Sequence, residues 1–93
     1  MEYNEETLLK IEEYAGLLTS ISDIAVLIDS NEDELRDDIA LKTTAVSNRY
    51  RKAKAATELE LRREEIALAK LGSPIAIELV QKYKLTQQIS ENG

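Results

Sequence analysis

The sequence predicts an all-α protein: three short N-terminal helices, resembling a helix-turn-helix, followed by a long helix and an antiparallel helical hairpin. Three observations predict it. Apolar residues recur at helical spacing along most of the 93-residue chain. No segment alternates apolar and polar residues with the β-branched and aromatic enrichment of a strand. Gly and Pro are confined to Gly16, Gly72, Pro74 and Gly93. A chain of this length suits one small domain, or one and a half.

The first helix spans residues 5–18, where Leu8, Ile11, Ala15 and Leu18 form a stripe. Thr19 and Ser20 interrupt it. Ser20 or Ser22 caps a second helix, because a side-chain hydroxyl satisfies a backbone N–H that the first turn leaves orphaned. Ile21, Ile24, Ala25 and Ile28 give that helix one apolar face. Asp29-Ser30-Asn31-Glu32 reads as a tight turn, and a third helix from Asp33 is anchored by Leu35 and Ile39. Lys42-Thr43-Thr44 is a weak point, since β-branched residues slightly disfavour helix.

A long helix follows over residues 45–71, and its end is sharply marked. Gly72 suits the left-handed position beyond a helix, Ser73 caps the next one and Pro74 occupies its first position. The second arm, residues 74–88, carries Ile75, Ala76, Leu79, Val80 and Tyr83 on a stripe. So short a connection predicts that the two arms fold back on each other. Residues 90–93 are expected to fray. These readings divide the chain into an N-terminal region, 1–44, and a hairpin region, 45–93.

A helix of 27 residues is about 40 Å long, and the second arm covers only about half of it. Val46, Tyr50, Ala53, Leu61 and Leu68 lie roughly on one face, and Ala56, Leu59 and Ile66 on another. A helix apolar on two faces needs two sets of neighbours. The second set is expected to be another subunit, contacted by Ala56, Leu59, Ile66, Ile77, Val80 and Tyr83. A slightly wider core face would fit the same residues.

The net charge of −6 hides a polarised chain. Residues 1–41 hold twelve acids against Lys10 and Arg36, or −10; residues 42–93 hold ten bases against six acids, or +4. Lys42, Arg49, Arg51, Lys52 and Lys54 form a run with no acid between them. Such a run can neutralise DNA phosphates without reading bases; its bland counterpart is a solvated helix face, or pairing with acids of the chain or of a neighbour. Arg36 is the lone base of the third helix, where Asp33, Glu34, Asp37 and Asp38 occupy the positions that would meet the major groove. Arg62-Arg63-Glu64-Glu65, beside Glu58 and Glu60, reads as solvated pairing. The tyrosines, Tyr50 included, read as packed rather than stacking residues.

Cys, His, Trp and Phe are absent. That excludes a disulfide framework, a Cys/His zinc site, thiol catalysis and histidine acid–base chemistry. No glycine-rich phosphate loop occurs, and neighbouring acids such as Glu12/Glu13 or Asp37/Asp38 diverge on a helix. The expectation is a non-enzymatic protein without cofactor or metal. Its longest apolar run, Ile24 to Ile28, is far below the roughly 20 residues of a membrane span, and its acidic start does not read as a targeting segment. A cytoplasmic location follows as an expectation.

Two segments carry a family resemblance. Ile21 to Leu35 (ISDIAVLIDSNEDEL) is similar to the N-terminal helix-turn-helix of the small terminase subunits of tailed bacteriophages and prophages. Leu61 to Leu79 (LRREEIALAKLGSPIAIEL) resembles their basic-acidic helix, Gly-polar-Pro turn and apolar helix. Together they cover most of residues 15–85. The resemblance implies binding of double-stranded viral DNA at the start of packaging, a homo-oligomeric ring built from the hairpins, and a separate large ATPase–nuclease subunit as partner. The acidic third helix departs from the basic recognition helices usual in that family. A small helix-turn-helix regulator and a helical adaptor without a nucleic-acid role are the alternatives.

Overall fold

The structure is a computed structural model, and it describes residues 3–92. Among these residues it is all-helical: α1 (Glu5–Gly16), α2 (Ile21–Leu27), α3 (Glu32–Ala40), α4 (Ala45–Lys70) and α5 (Pro74–Asn92). The chain divides into two compact units, Met1–Thr57 and Glu58–Gly93, and the division falls inside α4. The sequence places its boundary at residue 45, where the long helix begins. Compactness places it later, because the first three turns of α4 still supply core residues to the first unit.

Helix starts follow the sequence closely. Asn4, Ser20 and Asn31 cap α1, α2 and α3, their side-chain oxygens accepting from the N–H groups of Thr7 (2.8 Å), Asp23 (3.1 Å) and Glu34 (2.9 Å). Each such cap is worth about 1 kcal/mol. Ser20, rather than Ser22, is the α2 cap. Thr44 does the same for α4, accepting from Ser47 N–H at 3.1 Å. The supposed weak point at Lys42-Thr43-Thr44 is thus a helix start.

Helix ends reuse one backbone motif three times. After α1, Leu18 N–H bonds to Ala15 O and Thr19 N–H to Tyr14 O; after α2, Asp29 bonds to Val26 and Ser30 to Ala25; after α4, Gly72 bonds to Ala69 and Ser73 to Leu68. The residue in the left-handed region is Leu18 (φ 57°), Asp29 (φ 56°) or Gly72 (φ 92°). Only the last is glycine. This explains why α1 stops at Gly16, short of the residue 18 expected from its apolar stripe. At the other end of the chain α5 is helical through Asn92, beyond the expected end near residue 88; Gly93 lies outside the described residues.

The core of the first unit draws on four helices: Leu8, Ile11 and Ala15, then Ile24 and Ala25, then Leu35 and Ile39, then Val46 and Tyr50. Tyr3, Tyr14, Ile21, Ile28 and Ala53 pack against it. Two hydroxyls tie α4 in place. Buried Ser47 donates to Ile39 O at 2.6 Å, satisfying a carbonyl at the end of α3. Thr57 donates to Gly16 O at 2.5 Å, doing the same at the end of α1.

The second unit is built differently. Its one fully buried side chain among the described residues is that of Ala76, with Leu79, Val80 and Tyr83 half-buried. Leu59, Leu61, Ile66, Leu68, Leu71, Ile75, Ile77, Leu85 and Ile89 are all exposed.

Candidate nucleic-acid interface and assembly surface

The basic residues singled out in the sequence do not share one environment. Arg49 lies on the side of α4 that faces α1, where Nη2 sits 2.7 Å from Glu5 and Nε 3.7 Å from Glu12. Glu5 and Glu12 are seven residues apart, so two turns of α1 present both carboxylates to one guanidinium. The spacing puts the two acids on one side of α1, but nothing local in the sequence says that Arg49 will meet them. Arg51, Lys52 and Lys54 follow on the exposed side of α4, with the Lys54 ammonium 6.0 Å from the Tyr50 ring centre. Lys42 is exposed in the connection before α4. No ion pair among the described residues involves Lys42, Arg51, Lys52 or Lys54.

Arg36 is exposed on α3 and lies 4.0 Å from Glu32, one turn earlier. The acids of α3 have local work. Glu32, Asp33 and Glu34 occupy its first turn, where the N-terminal end of the helix dipole favours negative charge. Asp38 accepts a hydrogen bond from the Tyr3 hydroxyl at 3.0 Å. Burial, that hydrogen bond, and the charges of Asp38 and Glu34 push the Tyr3 phenol up to about 12. The acids of α3 thus favour its first turn and hold the Tyr3 hydroxyl, while Asp37 is exposed.

The six residues expected at an oligomer interface also divide. Ala56, which falls in the first unit, and Leu59, Ile66 and Ile77, in the second, are exposed. Val80 and Tyr83 are half-buried within the second unit itself, where the Arg62 guanidinium stacks over the Tyr83 ring at 5.2 Å. Together with Ile66, Lys84 and Gln87 they line an open groove of about 510 Å³. The sequence around Arg62 suggests only solvated pairing. Its stacking partner lies 21 positions away, and no local pattern announces it.

Among the described residues there is no His/Cys/Asp/Glu group placed to hold a metal ion, and no helix long and apolar enough to cross a membrane. The surface chemistry on offer is a small exposed cationic face on α4 and a large exposed apolar complement in the second unit. Comparison with known protein families, curated proteins and solved structures finds no match to this chain.

Proposed function

We propose that this is a non-catalytic, DNA-packaging-type assembly protein. In this reading Lys42, Arg51, Lys52 and Lys54 neutralise phosphates of double-stranded DNA, and residues 58–92 form the hairpin that joins subunits into a homo-oligomer. The reading is supported by the resemblance to small terminase subunits and by one structural observation: the α4 bases after Arg49 are exposed and outside any intramolecular ion pair among the described residues. Counterion release makes such a face a sequence-independent DNA contact. The helices α2 and α3 serve as a helix-turn-helix scaffold rather than as a base reader, because carboxylates at the start of α3 would have to pass two rows of phosphates. A large ATPase–nuclease subunit is the partner this role requires.

The test is charge reversal. The triple variant R51E/K52E/K54E should lose DNA binding and its salt dependence while the oligomer keeps its mass in light scattering. Binding that survives the triple reversal would sink the assignment. A helical adaptor without a nucleic-acid role is the second reading. It is favoured by the withdrawal of Arg49 into the first unit, and failure of the wild-type chain to bind any DNA at low salt would establish it.

A further inference from the structure

Three of the four exposed large apolar residues of α5, Ile75, Leu85 and Ile89, share one side of the helix, with Ile77 off it. Ile75, Glu78, Lys82, Leu85 and Ile89 follow one another at spacings of three, four, three and four, the repeat that keeps a single seam along a helix. This seam lies away from the side of α5 that carries Ala76, Val80 and Tyr83. All five residues are exposed: Ile75 by 73%, Leu85 by 57% and Ile89 by 64%. No ion pair among the described residues engages Glu78 or Lys82. Leu71, just before the helix and four positions from Ile75, is more exposed still, at 84%.

The first four of the series read the same in both directions about position 80. Within α5, Ile75 mirrors Leu85 and Glu78 mirrors Lys82. We propose that this seam of α5 is a two-fold interface with a second copy of the same chain, the two α5 helices running antiparallel. Ile75 then meets Leu85 of the second copy and Glu78 meets its Lys82; by symmetry every contact occurs twice, as a self-complementary surface requires. Charge decides the direction. A parallel pair would set Glu78 against Glu78 and Lys82 against Lys82 inside the seam, whereas the antiparallel pair sets opposite charges against each other and apolar residues on both sides of them. The inference rests on the reading that residues 58–92 self-associate, and it assigns the pairing surface to a face of α5 distinct from Val80 and Tyr83.

Sedimentation and light scattering over a range of concentrations provide the test, with circular dichroism confirming that helix content is unchanged. L85E should reduce association at least tenfold. E78K and K82E should each weaken self-association at low salt, because each creates two like-charge contacts. Mixing the E78K chain with the K82E chain should restore association as a heterodimer, since every seam charge then meets its opposite. Direction is read by disulfide formation, which the absence of native cysteine makes clean. An I75C chain mixed with an L85C chain should cross-link to each other, with the mixed species identified by intact mass. An I75C chain that cross-links to itself instead would overturn the antiparallel arrangement. Association untouched by L85E would overturn the α5 seam while leaving self-association through another face standing; a wild-type chain that remains monomeric at every concentration would overturn both.

Discussion

The two units of this chain handle similar sequence in opposite ways. Both are helical, capped and rich in Leu, Ile and Ala. In Met1–Thr57, apolar residues from four helices converge, and Ile11, Ile24 and Leu35 are completely removed from water. In Glu58–Gly93, Ala76 alone among the described residues is buried, and leucines and isoleucines stand in solvent. Hydrophobic content therefore does not decide whether a segment forms a core; the number of directions from which helices approach does. Three short helices and the start of a fourth enclose their apolar faces. The second unit draws on only two helical segments, which can cover one face of each other and no more.

The same truncation applied to each unit breaks this comparison most sharply. Ile24→Ala should cost about 2–5 kcal/mol in chemical denaturation, because it opens a cavity in a closed core. Ile75→Ala, at concentrations where the chain is dispersed, should stay within about 0.5 kcal/mol. A large effect of Ile75→Ala under those conditions would mean that the second unit has a core of its own.

The cations of α4 sharpen the comparison next. Arg49→Ala removes the partner of Glu5 and Glu12, and it should destabilise the fold by about 1 kcal/mol while leaving the salt slope of DNA binding unchanged. Lys52→Ala should leave stability within about 0.5 kcal/mol and reduce the salt slope by about 0.9. Equal effects of the two on DNA binding would erase the distinction between committed and exposed bases.

Smaller effects are expected at the helix ends. Gly72→Ala places a Cβ on a left-handed residue and should cost about 1 kcal/mol, read as faster amide exchange around the α4–α5 connection. Leu18→Gly relieves the same conformation in the first unit and should stabilise it by about 0.5 kcal/mol, net of the added freedom of the unfolded chain. An effect of a different kind concerns alkaline pH. Because the folded state holds the Tyr3 phenol protonated up to about 12, its contribution is complete below pH 10 and is lost as pH rises toward 12. Tyr3→Phe should flatten that loss in denaturation measured across this interval.

Much of the fold was legible in the sequence because its signals are local. Ser20 reaches an N–H three residues on, and Gly72, Ser73 and Pro74 mark an end, a cap and a start within three positions. The apolar stripes announced most of the first core. Where signals failed, the local rule had a competitor. A left-handed leucine gives no warning of a helix end, so the apolar stripe of α1 runs two residues past it, and a threonine poor in helix propensity caps α4.

The candidate site was less legible, for a reason of distance. The sequence by itself determined that there would be helices, where most of them begin, and that one stretch of α4 carries only positive charge. Tertiary structure alone decided which charges remain available. Arg49 finds its carboxylates 37 and 44 positions earlier, and Tyr3 finds Asp38 35 positions later. A side chain's charge is written in its formula, but its partners are set by which helices are brought together, and that follows from burying Ile11, Ile24 and Leu35 in one place.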